Sequence, residues 1–192
     1  MALLILGLVL FLGTHSIRIF AEGWRTAMIG RMGALPWKGL IAVLSLVGFV
    51  MIVWGFGMAR QQPVQLWAPP VGMRHLASLL TLIAFIFLAA AYVPGNIIKA
   101  KLRHPMVLAV KVWALAHLLA NGNVAHVILF GTFLVWAALN FRAARGRDRA
   151  AGTVYPAGKA AATAITVVVG VVAWAGFAFW AHGAWIGVRP IG

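Results

Sequence analysis

The sequence predicts an all-α integral membrane protein of six transmembrane helices, with the N-terminus and the C-terminus both outside. Three observations predict it. First, 64% of the 192 residues are hydrophobic, and Glu22 and Asp148 are the only acids. So little polar surface cannot cover a soluble core of this size. Second, the apolar residues fall into six blocks, each near the roughly 20 residues that a helix needs to cross about 30 Å of hydrocarbon. Third, the basic residues sort into alternate loops.

The spans read as Ala2–Phe20, Gly39–Met58, His75–Val93, Pro105–Ala120, Val124–Phe141 and Ala160–Trp185. Long continuous apolar runs favour helices over the alternating short strands of a membrane barrel. The first span has no basic stretch ahead of it, so it is expected to be retained and not cleaved as a signal. Pro63, Pro69 and Pro70 mark the loop between the second and third spans, and Pro94-Gly95-Asn96 ends the third. The fourth span is the shortest and is interrupted by Lys111. Asn121-Gly122-Asn123 turns the chain tightly into the fifth. Residues 1–192 read as one membrane domain, with no repeat and no intervening soluble segment.

Orientation follows from the bases. Arg18, Arg25, Arg31 and Lys38 follow span one; Lys99, Lys101 and Arg103 follow span three; Arg142, Arg145, Arg147, Arg149 and Lys159 follow span five. The opposite loops hold only Arg60, Arg74 and Arg189. Twelve against three places the basic loops in the cytoplasm. The net charge of +14 is then that of cytoplasmic loops facing anionic headgroups. A nucleic-acid surface would need a folded basic face with stacking aromatics, which no soluble segment here supplies. Trp24, Trp37, Trp67 and Trp185 lie toward span ends, as interfacial anchors do. With no cysteine, thiol catalysis, disulfides and cysteine-ligated clusters are excluded. The two acids occupy separate loops, which excludes paired-carboxylate chemistry.

Polar residues inside spans are costly and mark functional sites by default. His15 and Arg18 lie in the first span, His104 opens the fourth, Lys111 and His117 lie within it, His126 lies in the fifth and His182 near the end of the sixth. His117 and His126 flank the Asn121–Asn123 turn, which sets them at similar depth. With His182 and His75 they gather toward the outer side, as imidazoles at a metal or haem site would. The plainer reading is of half-polar rings resting at the interface, and it is the favoured one for His75. His15, Arg18 and Glu22 share one helix face. Glu22 is expected to neutralise Arg18, whereas His15 sits deeper and needs a partner. Arg103-His104-Pro105 by itself is helix-start punctuation, with proline at the first position. Lys111 must face water or a polar interior.

Arg103-His104-Pro105-Met106, together with the run Trp113 to Gly122 (WALAHLLANG), resembles the signature of the NnrU family. Gly13-Thr14-His15-Ser16-Ile17-Arg18 and His182 followed by Ile186-Gly187-Val188 extend the resemblance from end to end. It implies a multi-pass protein of the bacterial inner (cytoplasmic) membrane that supports denitrification, linked to nitrite and nitric oxide reduction, with reductase components as partners. The family is related to plant zeta-carotene isomerase, a haem b enzyme. By that relationship the haem iron would be held by His15 and His117, with His126, His182 and His104 as alternates. Ala114 stands where the isomerase has a cysteine, so ligand exchange onto a thiolate is impossible here.

Counting the rise per residue places His117 about 18 Å above the cytoplasmic end of its helix and His15 about 8 Å above that of its own. The implied ligands are thus offset by roughly 10 Å. Three functions compete. A haem-binding accessory or enzyme of nitrogen-oxide respiration comes first. A haem-dependent cis–trans isomerase of a long apolar substrate, such as a carotenoid, is the alternative. A membrane methyltransferase would share the Arg-His-Pro element but would use downstream acids, and only Asp148 follows His104. A transporter would show internal symmetry or broken helices, and neither is evident.

Overall fold

The computed structural model describes residues 1–191. It is all-helical: α1 is Ala2–Phe20, α2 Glu22–Met32, α3 Ala34–Ala59, α4 Gly72–Tyr92, α5 Ile97–Leu102, α6 Pro105–Ala120, α7 Val124–Ala150 and α8 Ala160–Gly176. A π-helix, Phe177–Ile186, continues α8. Among the described residues, five helices are long and apolar enough to cross a membrane, counting α8 and its π-helical extension as one. The sixth expected span, α6, has 16 residues and is therefore about 24 Å long, short of a full hydrocarbon core.

Several boundaries differ from the sequence expectation. The loop expected after span one carries α2, and α3 starts at Ala34, ahead of Gly39. The fifth helix passes Phe141 and runs to Ala150. Residues 142–150 are rich in alanine and arginine, both strong helix formers, so the helix continues where the apolar run stops.

The long helices are neighbours in the sequence α3, α1, α7, α6, α4, α8, so α7 stands between α1 and α6. The α1–α3 pair is antiparallel and close because glycine removes side chains at the crossing. A Cβ on Gly7 would lie 2.7 Å from the Ile52 nitrogen, and one on Gly48 would lie 2.8 Å from that of Phe11. Leu4, Leu8, Leu12, Ile52, Ala114, Leu129 and Phe130 form the shared core.

Hydrogen bonds tie each end of the bundle, and at the basic end the Lys159 N–H donates to the Gly95 carbonyl at 2.8 Å. At the end poor in bases, Leu66 and Trp67 N–H donate to the Gly122 carbonyl at 2.7 and 3.1 Å. At the basic end, Asn96 is 1% exposed. Its side chain donates to the Ala90 and Val93 carbonyls and accepts from Lys99 N–H, capping α5.

Candidate functional site

Four histidines share one arrangement. His15 Nδ1 bonds the Phe11 carbonyl at 2.7 Å and His117 Nδ1 the Trp113 carbonyl at 2.8 Å, each one helical turn back. His126 Nδ1 bonds Asn123 Oδ1 at 2.5 Å, and His182 Nδ1 bonds the Val188 carbonyl at 2.6 Å. Each partner is an acceptor; Asn123 Oδ1 also takes the His126 backbone N–H. Nδ1 must therefore carry a proton, and in the neutral ring this leaves Nε2 as the lone-pair nitrogen. A backbone or amide oxygen that fixes the tautomer in this way is the support a metal-ligating imidazole needs. In donor chemistry, the set fits a haem iron.

Position separates them. The His117 ring stacks on Phe130 at 4.4 Å between centroids, and His126 lies 5.9 Å from the same ring. The two are level, as the Asn121–Asn123 hairpin requires. His182 on the π-helix is within electrostatic reach of His117. His15 instead meets Trp136 edge-on at 6.1 Å. With α7 as a ruler, Phe130 to Trp136 spans about 9 Å, close to the offset expected from the sequence. An aromatic column fills the interval: His15 on Phe11 (4.3 Å), Phe11 by Phe133 (6.0 Å), Phe133 by Trp113 (5.6 Å), and Trp113 by His117 (5.2 Å). The structure thus brings His117, His126 and His182 together and sets His15 apart. Ala114, at the position of the relative's cysteine, is fully buried.

The remaining candidates separate cleanly. Arg18 lies 3.6 Å from Glu22, which is closer still to Arg25 at 3.0 Å. Lys111 is half-buried on α6 and forms no ion pair among the described residues. His75 is exposed at the start of α4.

His104 is more than punctuation. Its Nε2 meets Asp148 Oδ2 at 2.7 Å, and the Tyr155 hydroxyl donates to the same oxygen at 3.0 Å. Arg103 lies over the Tyr155 ring, 5.6 Å from its centroid. Burial, then the hydrogen bond to the Asp148 carboxylate, pushes the Tyr155 phenol above its ordinary pKa. Arg103 also has φ 68° and ψ −50°, and the His104 N–H closes back on the Leu102 carbonyl at 2.8 Å. That is a γ-turn of the rare, strained hand. The available sequence signal was Asp148 itself, the only acid after Glu22, set among arginines and in need of a partner.

The family model described as NnrU protein matches residues 3–190. No curated protein and no solved structure matches the chain.

Proposed function

The chain belongs to the NnrU family, whose members are denitrification-associated membrane proteins, and from that premise we propose that it acts in the bacterial inner membrane as a haem b protein supporting nitrite and nitric oxide reduction. The observation that carries the haem reading is the shared tautomer: His15 and His117 each hold Nδ1 on a backbone carbonyl and keep Nε2 as the lone pair. Bound haem would supply one-electron redox chemistry, tuned by its axial ligands and by burial.

His117 is the ligand on which every pairing agrees. His15 is its partner by family resemblance, and joining the two on one iron requires Trp113 and Phe133 to turn aside. His126, on the same Phe130 ring, and His182, on the π-helix, are the alternative partners on the His117 side of the aromatic column. In this reading both termini face outward and the basic loops face the cytoplasm, where reductase components would dock. The alternative, a haem-dependent isomerase of a long apolar substrate, places its chemistry at the same histidines.

The test is the visible spectrum of the purified protein, oxidised and dithionite-reduced, beside His15→Ala, His117→Ala and His126→Ala. A Soret band with sharp reduced α and β bands, lost in His15→Ala and His117→Ala and kept in His126→Ala, is expected. Loss in His117→Ala and His126→Ala alone would move the second ligand to His126. A colourless protein of normal yield, made with haem supplied, would end the haem reading.

A further inference from the structure

The end of the bundle poor in bases carries Arg60, Arg74 and Arg189, and neither acidic side chain of the chain lies there. Glu22 and Asp148 are both paired at the opposite end. Arg60 and Arg189 converge on the histidines. Arg60 closes α3, half-buried, with its guanidinium 5.4 Å from the centroid of the Phe56 ring. Phe56 meets His126 edge-on at 5.0 Å and Phe130 at 6.3 Å, and Phe130 carries the stacked His117. Arg60 also reaches the π-helix of His182, where one N–H donates to the Ile186 carbonyl at 2.9 Å.

Gly187 brings the second arginine. Its φ of 78° is left-handed, a conformation that favours glycine and turns the chain back as the π-helix ends. The returning segment sets the Val188 carbonyl on His182 Nδ1 and folds Arg189 onto Gly183, the residue after His182. A Cβ on Gly183 would lie 3.3 Å from Arg189 Cγ and 4.0 Å from its Nε. Arg60 and Arg189 thus meet one helix, at Ile186 and at Gly183. Both are accessible, and neither forms an ion pair among the described residues. The Ile186 carbonyl occupies a single N–H of a guanidinium that carries several. Charged groups at the edge of hydrocarbon are costly without a partner, so the pair calls for an anion with two negative groups.

We propose that Arg60 and Arg189 hold the two propionate carboxylates of the haem, which turns its polar edge toward the end of the bundle poor in bases. The proposal rests on the haem reading and deepens it. Haem is an apolar disc with two anionic arms on one edge, and a planar guanidinium takes a carboxylate through paired N–H groups. The histidines would hold the iron. Arg60 and Arg189 are positioning residues that set which way the disc faces.

The test is titration of the full chain, made without haem, with haemin and with haemin dimethyl ester, whose carboxylates are blocked; the Soret band reports binding. Wild type should bind haemin about tenfold or more tightly than the ester. Arg60→Gln and Arg189→Gln should each weaken haemin binding by on the order of tenfold and leave the ester's affinity unchanged. An arginine with a merely structural role would weaken both ligands alike. Arg74→Gln, which removes the same charge at the start of α4, should keep wild-type affinity for haemin. Equal affinity of wild type for the two ligands would overturn the proposal and leave the haem reading standing. So would equal losses for both ligands in Arg60→Gln and Arg189→Gln, or an equal loss in Arg74→Gln. A wild type that binds neither ligand would end the haem reading and the proposal together. If Arg60→Gln fails to fold, Arg189→Gln and the wild-type comparison of haemin with its ester still decide.

Discussion

His104 and Asp148, 44 residues apart in the chain, meet through Nε2 and Oδ2 at 2.7 Å. The pair joins the first residue before α6 to the far end of α7, beyond the apolar part of that helix. Both side chains are largely covered, at 21% and 11% exposure. Tyr155 donates to the same carboxylate oxygen, so one acid ties two helices and a loop.

Asp148→Asn should therefore lower the melting temperature of the detergent-solubilised protein more than Glu22→Gln does. Asparagine keeps the shape but loses the charge that holds His104, whereas Glu22, itself 40% exposed, pairs with exposed Arg18 and half-buried Arg25, where ion pairs contribute little. The check is a pair of thermal unfolding curves at neutral pH. An Asp148→Asn midpoint equal to wild type would mean that the pair contributes nothing to the bundle.

Tyr155 gives the network a pH signature. Its phenol titrates above its ordinary value in the folded chain. A raised folded pKa means that the stability from this group is fully present below the unfolded value near ~10 and is lost as pH rises through the folded one. The stability gap between wild type and Tyr155→Phe should thus be constant up to about pH 10 and shrink above it. Unfolding midpoints of both proteins along an alkaline series test this; a gap that widened with pH would reverse the assignment.

Two glycines on α1 should behave oppositely. Gly7 faces α3, where a Cβ would lie 2.7 Å from the Ile52 nitrogen and 2.9 Å from the Met51 carbonyl carbon. Gly7→Leu forces the helices apart, with an overpacking cost of about 1–3 kcal/mol or more. Gly13 meets nothing within 4 Å, so Gly13→Leu should leave the midpoint at or slightly above wild type, because leucine is the better helix former. Equal midpoints for the two variants would contradict the close α1–α3 crossing.

Much of this was legible locally. Ala2–Phe20 and Pro105–Ala120 have the bounds that the sequence implies, because Pro105 and Asn121-Gly122-Asn123 punctuate the chain where the apolar run changes. The level placement of His117 and His126 follows from that hairpin, and the offset of His15 from a count of rises. What depends on tertiary contact was not legible. Hydropathy says nothing about α7 beyond Phe141, since charged residues continue a helix as readily as apolar ones. Asp148 looked isolated because its partner lies in another loop. The aromatic column between His15 and His117 draws Phe11, Phe133 and Trp113 from three helices whose order, with α7 between α1 and α6, no periodicity encodes.

Arg103 supplies the sharpest test of the basic end. At φ 68° it is the only non-glycine among the described residues with positive φ, in a region that costs an L-residue about 1–3 kcal/mol. Its guanidinium recovers part of that over the Tyr155 ring, a half-buried contact of about 0.5–1 kcal/mol or more. Arg103→Ala keeps the strain and loses the contact, whereas Arg103→Gly loses the contact but removes the strain. The glycine variant should therefore be the more stable of the two by about 1–2 kcal/mol, the reverse of their order within a helix. Unfolding midpoints of the two variants decide. If alanine proves the more stable, Arg103 is not held in the γ-turn, and His104 reaches Asp148 without it.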